Sequence, residues 1–143
     1  MPYYVYLDNM VYDNSDLRRQ HIMDKLGRDD LFYCIADSNE QRALELIEQI
    51  KDIDYQDKNG YSYLHIAVQS GLLIVVEKLL VKGAKVDIID KFGKTPLMVA
   101  VSGYNGDRTL IDLLIRSGAD INRKNETGIS AQKVAEMKGI SLQ

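Results

Sequence analysis

Two stretches of the sequence decide the fold: NGYSYLHIAVQSGLLIVVEKLLVKGAKVDIID at residues 59–90 and FGKTPLMVAVSGYNGDRTLIDLLIRSGADIN at residues 92–122. When the two stretches are aligned on their glycines, equivalent residues lie 33 positions apart. The same spacing relates the first stretch to the part of the chain that precedes it. The glycines that set this register are Gly27, Gly60 and Gly93, followed 35 residues later by Gly128. Such a period indicates an array of repeats, in which each unit buries its apolar face by stacking on its neighbour.

Within a unit, the residues predict a turn followed by two helices. Gly93 suits a turn position that needs a left-handed backbone, and Asp90 opens that turn. Thr95 is a helix N-cap, and Pro96 fits the first helical turn because no intrahelical donor is lost there. The second helices carry apolar residues at i, i+3 and i+4 spacing, which is typical of one buried face. These residues are Ile74, Val75, Leu79 and Leu80, then Ile111, Leu114 and Ile115.

A six-residue motif opens the first helix of each unit. It stands as SYLHIA at 62–67, TPLMVA at 95–100, SAQKVA at 130–135 and, in its weakest form, DDLFYC at 29–34. With the period, these motifs resemble the ankyrin repeat family. The resemblance covers about residues 27–143 and implies an all-α solenoid of stacked helix-turn-helix units joined by β-turn loops.

The predicted organisation is about three and a half repeats behind an N-terminal cap. The repeats are assigned to residues 27–59, 60–92 and 93–127, with a partial unit at 128–143. Residues 1–26 form an N-terminal extension and capping helix, in which SDLRRQHIMDKL (15–26) is helical. The tyrosine-rich stretch YYVYLDNMVY (3–12) is predicted to be extended.

Departures from the pattern predict irregular places. Ser38 and Ile50 stand where later units have turn glycines, so the turns of the first unit should be less regular. Gln132 replaces the inward leucine of the fourth unit. Because that unit is partial, the face carrying Leu110, Leu113 and Leu114 should be poorly covered, and we expect weak self-association through this edge.

Composition places the chain among soluble globular proteins, with 45% hydrophobic and 27% charged residues. The longest apolar run, GLLIVV, meets Glu77 and Lys78, so neither a membrane span nor membrane binding is predicted. The N-terminus lacks the basic and apolar regions of a secretory signal. The single cysteine, Cys34, excludes an intramolecular disulfide framework, and we expect a cytoplasmic location.

No constellation of residues predicts catalysis, a metal site or a cofactor. The two histidines are His21, expected on the surface, and His65, which the ankyrin resemblance assigns to a hydrogen bond with the loop. Cys34 falls at a position where later units have alanine, so it is predicted to be small, buried and inert. The chain is therefore predicted not to be an enzyme, with a substrate-modifying enzyme or enzyme subunit as the rival class.

Nucleic acid is not an expected partner either. The net charge is −3, and the lysines and arginines of residues 58–143 alternate with acidic residues. This pattern favours a solvated face with weak attraction for an acidic partner over a groove that follows phosphates.

The resemblance implies a non-catalytic protein-protein interaction module that uses its turn tips and the concave surface of its first helices. The candidate partner-binding residues are Arg28, Lys58, Asn59, Tyr61, Gln69, Ser70, Lys91, Phe92, Lys94, Ser102, Tyr104, Asn105 and Ile129. Tyr61 and Phe92 are the expected anchors, and neither is expected to carry the repeat core. The alternative for Phe92 is packing on the adjacent turn. The neighbouring lysines favour a partner with an acidic surface.

A short ankyrin chain without an effector domain is expected to act by covering its partner's surface. This favours a binder or inhibitor, for example an immunity protein that neutralises a cognate toxin. The alternative is an adaptor or scaffold subunit of a larger complex.

Overall fold

The computed structural model describes residues 4–7, 10–13 and 23–143. The first two segments form an antiparallel hairpin of β1 (Tyr4–Leu7) and β2 (Met10–Asp13), in which Tyr4 pairs with Asp13 and Leu7 with Met10. The predicted extended conformation is confirmed for these residues. Residues 15–22 of the predicted capping helix lie outside the described residues, and the part that follows is a turn in which Gly27 N donates to Asp24 O at 2.9 Å.

The repeats consist of helix pairs that alternate along the chain. In the described part of the chain the helices are α1 (Asp30–Ala36), α2 (Glu40–Ile47), α3 (Tyr63–Gln69), α4 (Leu73–Val81), α5 (Pro96–Ser102), α6 (Thr109–Arg116) and α7 (Ala131–Met137). Helices α1, α3, α5 and α7 pack in one row, and α2, α4 and α6 pack in a second row. This two-layer stack of helix pairs confirms the all-α solenoid.

The core lies between the two rows of helices. Leu64 of α3 and Leu97 of α5 are fully buried, as the 33-residue register predicts. Val75 and Leu79 from α4 and Ile111 from α6 close the core from the second row. Each unit therefore contributes apolar side chains that only its neighbours cover.

Each first helix begins at a side-chain cap. The cap oxygen accepts a hydrogen bond from the backbone N–H three residues later, and this satisfies a donor that the helix itself leaves unpaired. The capping residues are Asp29, Ser62, Thr95 and Ser130. The predicted cap at Thr95 is confirmed, with Met98 N donating at 3.3 Å.

The turn glycines bring successive turns into backbone contact. Gly60 has φ +75°, and a Cβ there would lie 2.7 Å from the backbone nitrogen of Lys91. Gly93 has φ +76°, and a Cβ there would lie 3.1 Å from the Cα of Asn125. Both the left-handed backbone and the close approach therefore require glycine, which confirms the predicted turns.

The two departures in the first unit behave differently. Ser38 adopts φ +58°, close to the +71° of Gly71, so the expected irregularity is wrong at this position. Ile50 does not take the left-handed conformation that Gly83 and Gly118 adopt after α4 and α6. The turn that follows α2 is therefore the irregular one.

The C-terminal residues cover the end of the stack. Ile140 and Leu142 are buried and belong to the same core cluster as Leu114, which is fully buried. The guanidinium of Arg108 donates to the carbonyl oxygen of Ser141 at 2.5 Å and holds this segment against α6. The expectation of an open apolar end is therefore wrong for Leu114, while Leu110 and Leu113 are half-buried.

Candidate protein-binding groove

A groove of about 470 Å³ runs between the turn tips and the first helices; we call it the inner groove. Residues of three successive units line it: Arg28, Phe32, Tyr33, Ala36, Asp57 and Asn59 from the first, Tyr61, Ile66, Gln69, Asp90, Lys91 and Phe92 from the second, and Lys94 from the third. The turns contribute charge and the helices contribute apolar surface. The groove therefore combines the two kinds of contact that a protein interface uses.

His65 fixes the position of the turn that carries two of the groove lysines. The ring is fully buried, its Nδ1 accepts from Ser62 N at 3.2 Å, and its Nε2 donates to Lys94 O at 2.8 Å. The neutral Nε2–H tautomer satisfies both contacts. Burial lowers the pKa of His65, which keeps the ring neutral. The structural role predicted for His65 is confirmed.

Tyr61 belongs to the wall of the groove. Its ring stacks on His65 with the centroids 4.8 Å apart, and its hydroxyl donates to Oε1 of Gln69 at 2.6 Å. Burial raises the pKa of Tyr61 to about 12, and the charges of Asp90 and Asp57 act in the same direction. As expected, Tyr61 lies outside the core cluster, but its ring packs against the fully buried His65.

Phe92 is a large apolar side chain at the lip of the groove and is 52% exposed. The ammonium groups of Lys91 and Lys94 lie 5.0 Å and 6.0 Å from the centre of its ring. Its backbone oxygen accepts from Glu126 N at 3.0 Å, so the backbone joins the next turn while half of the side chain remains open to solvent. This exposure favours the anchor interpretation over packing on the adjacent turn.

The turn at residues 90–94 supplies positive charge that has no acidic partner among the described residues. Lys91 Nζ donates to Oδ1 of Asn59 at 2.8 Å, and in the described part of the chain neither Lys91 nor Lys94 forms an ion pair. Asp90 uses Oδ1 to accept the backbone N–H groups of Phe92 and Lys94, each at 2.9 Å. Its carboxylate holds the turn, while the lysines face the solvent.

Arg28, at the opposite end of the groove, is already engaged. Its guanidinium contacts Asp24 at 2.6 Å and lies 5.3 Å from the centre of the Tyr33 ring. Burial alone would raise the pKa of Asp24. Hydrogen bonds from Tyr33 and from Arg28 outweigh this effect and hold the pKa of the carboxyl well below its usual range. Arg28 therefore contributes more to the shape of the groove than to its charge.

The structure brings together part of the predicted partner-binding set. The members that line the inner groove are Arg28, Asn59, Tyr61, Gln69, Lys91, Phe92 and Lys94. The members that lie outside its lining are Lys58, Ser70, Ser102, Tyr104, Asn105 and Ile129. The role of these residues in binding stays a prediction.

Two lining residues that the sequence reasoning missed, Tyr33 and Ile66, carry the same repeat signal. They stand 33 residues apart, each two positions after the buried leucine of its first helix. The register could have found them, because equivalent positions of stacked units face the same side. Phe32, Ala36, Asp57 and Asp90 were missed as well, the two aspartates because they were read only as turn residues.

The described residues offer no group of three or more His, Cys, Asp or Glu side chains that could hold a metal ion. Cys34 is a free, half-buried cysteine, and burial together with the negative charge of Asp30 raises the pKa of its thiol. A thiol that stays protonated is a poor nucleophile. Among these same residues, no helix has the length and apolar character to cross a bilayer.

Stacked helix pairs, glycine turns in backbone contact and a groove lined by turn tips define a repeat protein whose surface suits contact with another macromolecule. The family model for "Ankyrin repeats (3 copies)" matches residues 20–125. The chain belongs to the ankyrin repeat family. Its repeats are a protein-protein interaction module, of a kind that is in general non-catalytic.

Relatives with different names match part of this chain. The B-cell lymphoma 3 protein homolog of Mus musculus is 34% identical over 90 residues, 62% of this chain and 20% of that protein. The ankyrin repeat-containing protein P1E11.10 of Schizosaccharomyces pombe is 34% identical over 83 residues, 58% of this chain and 38% of that protein. The serine/threonine-protein kinase 12 of Arabidopsis thaliana is 36% identical over 77 residues, 54% of this chain and 17% of that protein. The chain spans well under two thirds of each.

Proposed function

We propose that this protein binds a partner protein through the inner groove, without catalysing a reaction, and occludes the partner surface that it covers. The observation that carries the proposal is Phe92, half exposed at the lip of the groove between Lys91 and Lys94. A large aromatic side chain gains much from burial in an interface and loses little conformational entropy there. Positioned beside a ready-made groove, it suits the centre of an interface.

The charge of the groove favours a partner with an acidic surface. Within the described chain Lys91 and Lys94 form no ion pair, whereas Arg28 is neutralised by Asp24. Association with an acidic surface would be faster at low ionic strength and would weaken as salt is added.

We propose occlusion, rather than scaffolding, as the mode of action. The groove draws residues from three successive units, so a partner seated there covers a large part of the turn surface. An inhibitor such as an immunity protein against a cognate toxin would act in this way, and we place this action in the cytoplasm, in keeping with the free Cys34. The expected self-association at the C-terminal edge depended on poor cover of Leu110, Leu113 and Leu114, and with Leu114 fully buried it is not part of the proposal.

Affinity capture with matched variants tests the proposal. The full chain, Phe92→Ala and Val81→Ala are immobilised in equal amounts, and captured proteins are quantified by mass spectrometry. Val81 is 83% exposed on α4, outside the groove lining, so it is an apolar control. We expect a protein that the unmutated chain and Val81→Ala retain and that Phe92→Ala loses. Equal capture by all three chains would contradict the groove as the binding surface.

The captured protein then separates occlusion from scaffolding. For an inhibitor, stoichiometric addition of the chain lowers the partner's own activity, and Phe92→Ala does not. For an adaptor, a second protein is retained by a surface that Phe92→Ala leaves intact, and the first partner stays active.

A further inference from the structure

The inner groove has the dimensions of a short extended segment. Its lining comes from three successive units, and helices packed side by side lie about 8–10 Å apart. Three units therefore span about 20 Å, which an extended chain covers in about six residues at about 3.3 Å per residue. The volume of about 470 Å³ is that of a cleft that encloses a small ligand or a few side chains.

Several side chains of the groove offer free hydrogen-bond donors. The side-chain oxygen of Gln69 accepts the hydroxyl of Tyr61, and among the described residues its side-chain nitrogen has no protein partner. The side-chain nitrogen of Asn59 is likewise unused within the described chain, where its oxygen receives Lys91. Lys94 adds an ammonium group that lies 6.0 Å from the centre of the Phe92 ring and forms no ion pair within the described residues. A ligand rich in acceptors would complement this set.

Each aspartate of the groove uses one carboxylate oxygen to hold its turn. Oδ1 of Asp57 accepts the backbone N–H groups of Asn59 at 2.8 Å and Tyr61 at 2.9 Å. In the next turn, Oδ1 of Asp90 accepts the backbone N–H groups of Phe92 and Lys94, and Asp90 is 8% exposed. One oxygen of each carboxylate is therefore committed to the backbone of its turn, while the lysine ammonium groups extend into solvent on flexible stems.

We infer that the inner groove receives an extended, acidic segment of the partner protein, with one apolar side chain seated on Phe92. The inference rests on the proposed function. The carboxylates of the segment pair with Lys91 and Lys94, and its backbone carbonyl oxygens accept from the side-chain amides of Asn59 and Gln69. The apolar side chain covers the exposed half of Phe92, which the ammonium groups already flank.

A random heptapeptide library displayed on phage tests this chemistry with the full chain as bait. Selection is run in parallel against the unmutated chain and against Phe92→Ala. We expect the unmutated chain to enrich peptides that combine two or more Asp or Glu residues with one aromatic or large aliphatic residue. Synthetic copies of the enriched peptides should bind Phe92→Ala about 30-fold more weakly, and Val81→Ala as well as the unmutated chain.

Charge is tested with the same synthetic peptides. Lys94→Gln should weaken binding several-fold and flatten its salt dependence, whereas Lys82→Gln should do neither. Lys82 is the matched control because its ammonium pairs with Glu48 at 2.7 Å, away from the groove. In an NMR titration, the side-chain amide signals of Asn59 and Gln69 should shift with the peptide concentration.

Enrichment of basic or uncharged peptides, or no enrichment over Phe92→Ala, would overturn the inference. The proposed function fails separately. If the captured partner protein still requires Phe92 while no peptide binds, the groove takes a folded surface, and only the extended segment is wrong. If capture of the partner protein does not depend on Phe92 either, both the extended segment and the proposed binding surface are wrong.

Discussion

The contact between the first two units can be tested by removing one oxygen atom. Tyr63 donates its hydroxyl to Oδ2 of Asp29 at 2.5 Å, and both residues are buried. Asp29 also caps α1, since its Oδ1 accepts from Phe32 N at 3.1 Å. Burial and the negative charge of Asp29 raise the pKa of Tyr63. Tyr63→Phe removes this hydrogen bond and keeps the ring.

The loss of stability expected from Tyr63→Phe follows from the contacts that the phenylalanine ring keeps. The ring still packs against Phe32 at 4.7 Å and against Tyr55 at 6.2 Å between centroids, so little apolar burial is lost. Asp29 is left with a buried carboxylate oxygen that no longer has its donor. A hydrogen bond to a charged group contributes about 1.5–3 kcal/mol, so the free energy of unfolding should fall by about 2 kcal/mol. For a chain of this length, the melting temperature should fall by about 6 °C.

Urea denaturation followed by circular dichroism measures this change. Tyr61→Phe is the matched control, because its hydroxyl bonds an exposed amide and should contribute less than about 1 kcal/mol. Asp29→Asn in the Tyr63→Phe background should recover part of the loss, since asparagine still caps the helix and carries no charge. A change below about 0.5 kcal/mol for Tyr63→Phe would refute the reasoning.

Three further predictions concern the turns and the buried histidine. Ser38→Gly should stabilise the chain by about 0.5–1 kcal/mol in urea denaturation, because a left-handed backbone is costly for a residue with a Cβ. Gly93→Val should destabilise the chain by about 1–3 kcal/mol, and by more than Gly128→Val. Both glycines have positive φ, but of the two only Gly93 would place a Cβ against the Asn125 backbone, at 3.1 Å. Equal losses would show that this contact does not contribute. Because burial lowers the pKa of His65 below 6.5, only the unfolded chain gains this proton as the pH falls. The free energy of unfolding should therefore fall below about pH 6.5, and His65→Gln should reduce that slope.

The repeat fold was predictable because its determinants are local and periodic. Gly60 and Gly93 need a left-handed backbone, and Thr95 and Pro96 define a helix start wherever they occur. Equivalent positions such as Leu64 and Leu97 are buried because each unit repeats the same contacts. One register therefore predicted both the helices and their stacking.

The exact composition of the groove was less predictable, because it depends on contacts between units. The sequence does not reveal that the ring of Tyr61 stacks on His65, so Tyr61 looked like a free anchor. Arg28 looked like a free cation, whereas Asp24, four residues earlier, pairs with it. Phe92 was identified because the repeat pattern has no use for a large apolar residue there.

The ends of the repeats also depend on particular side chains rather than on the period. Ser38 takes a conformation that the pattern reserves for glycine, at a cost that packing must offset. Ile140 and Leu142 cover the last complete unit although no motif marks them. Such contacts follow from the shape of the assembled stack.

The central claim is that the inner groove binds the partner through Phe92, and calorimetric titration of the captured partner tests it most directly. Phe92→Ala should weaken binding about 30-fold while the melting temperature stays unchanged, because this half-exposed ring does not support the core. Val81→Ala should bind with the affinity of the unmutated chain. Equal dissociation constants for Phe92→Ala and the unmutated chain would contradict the account.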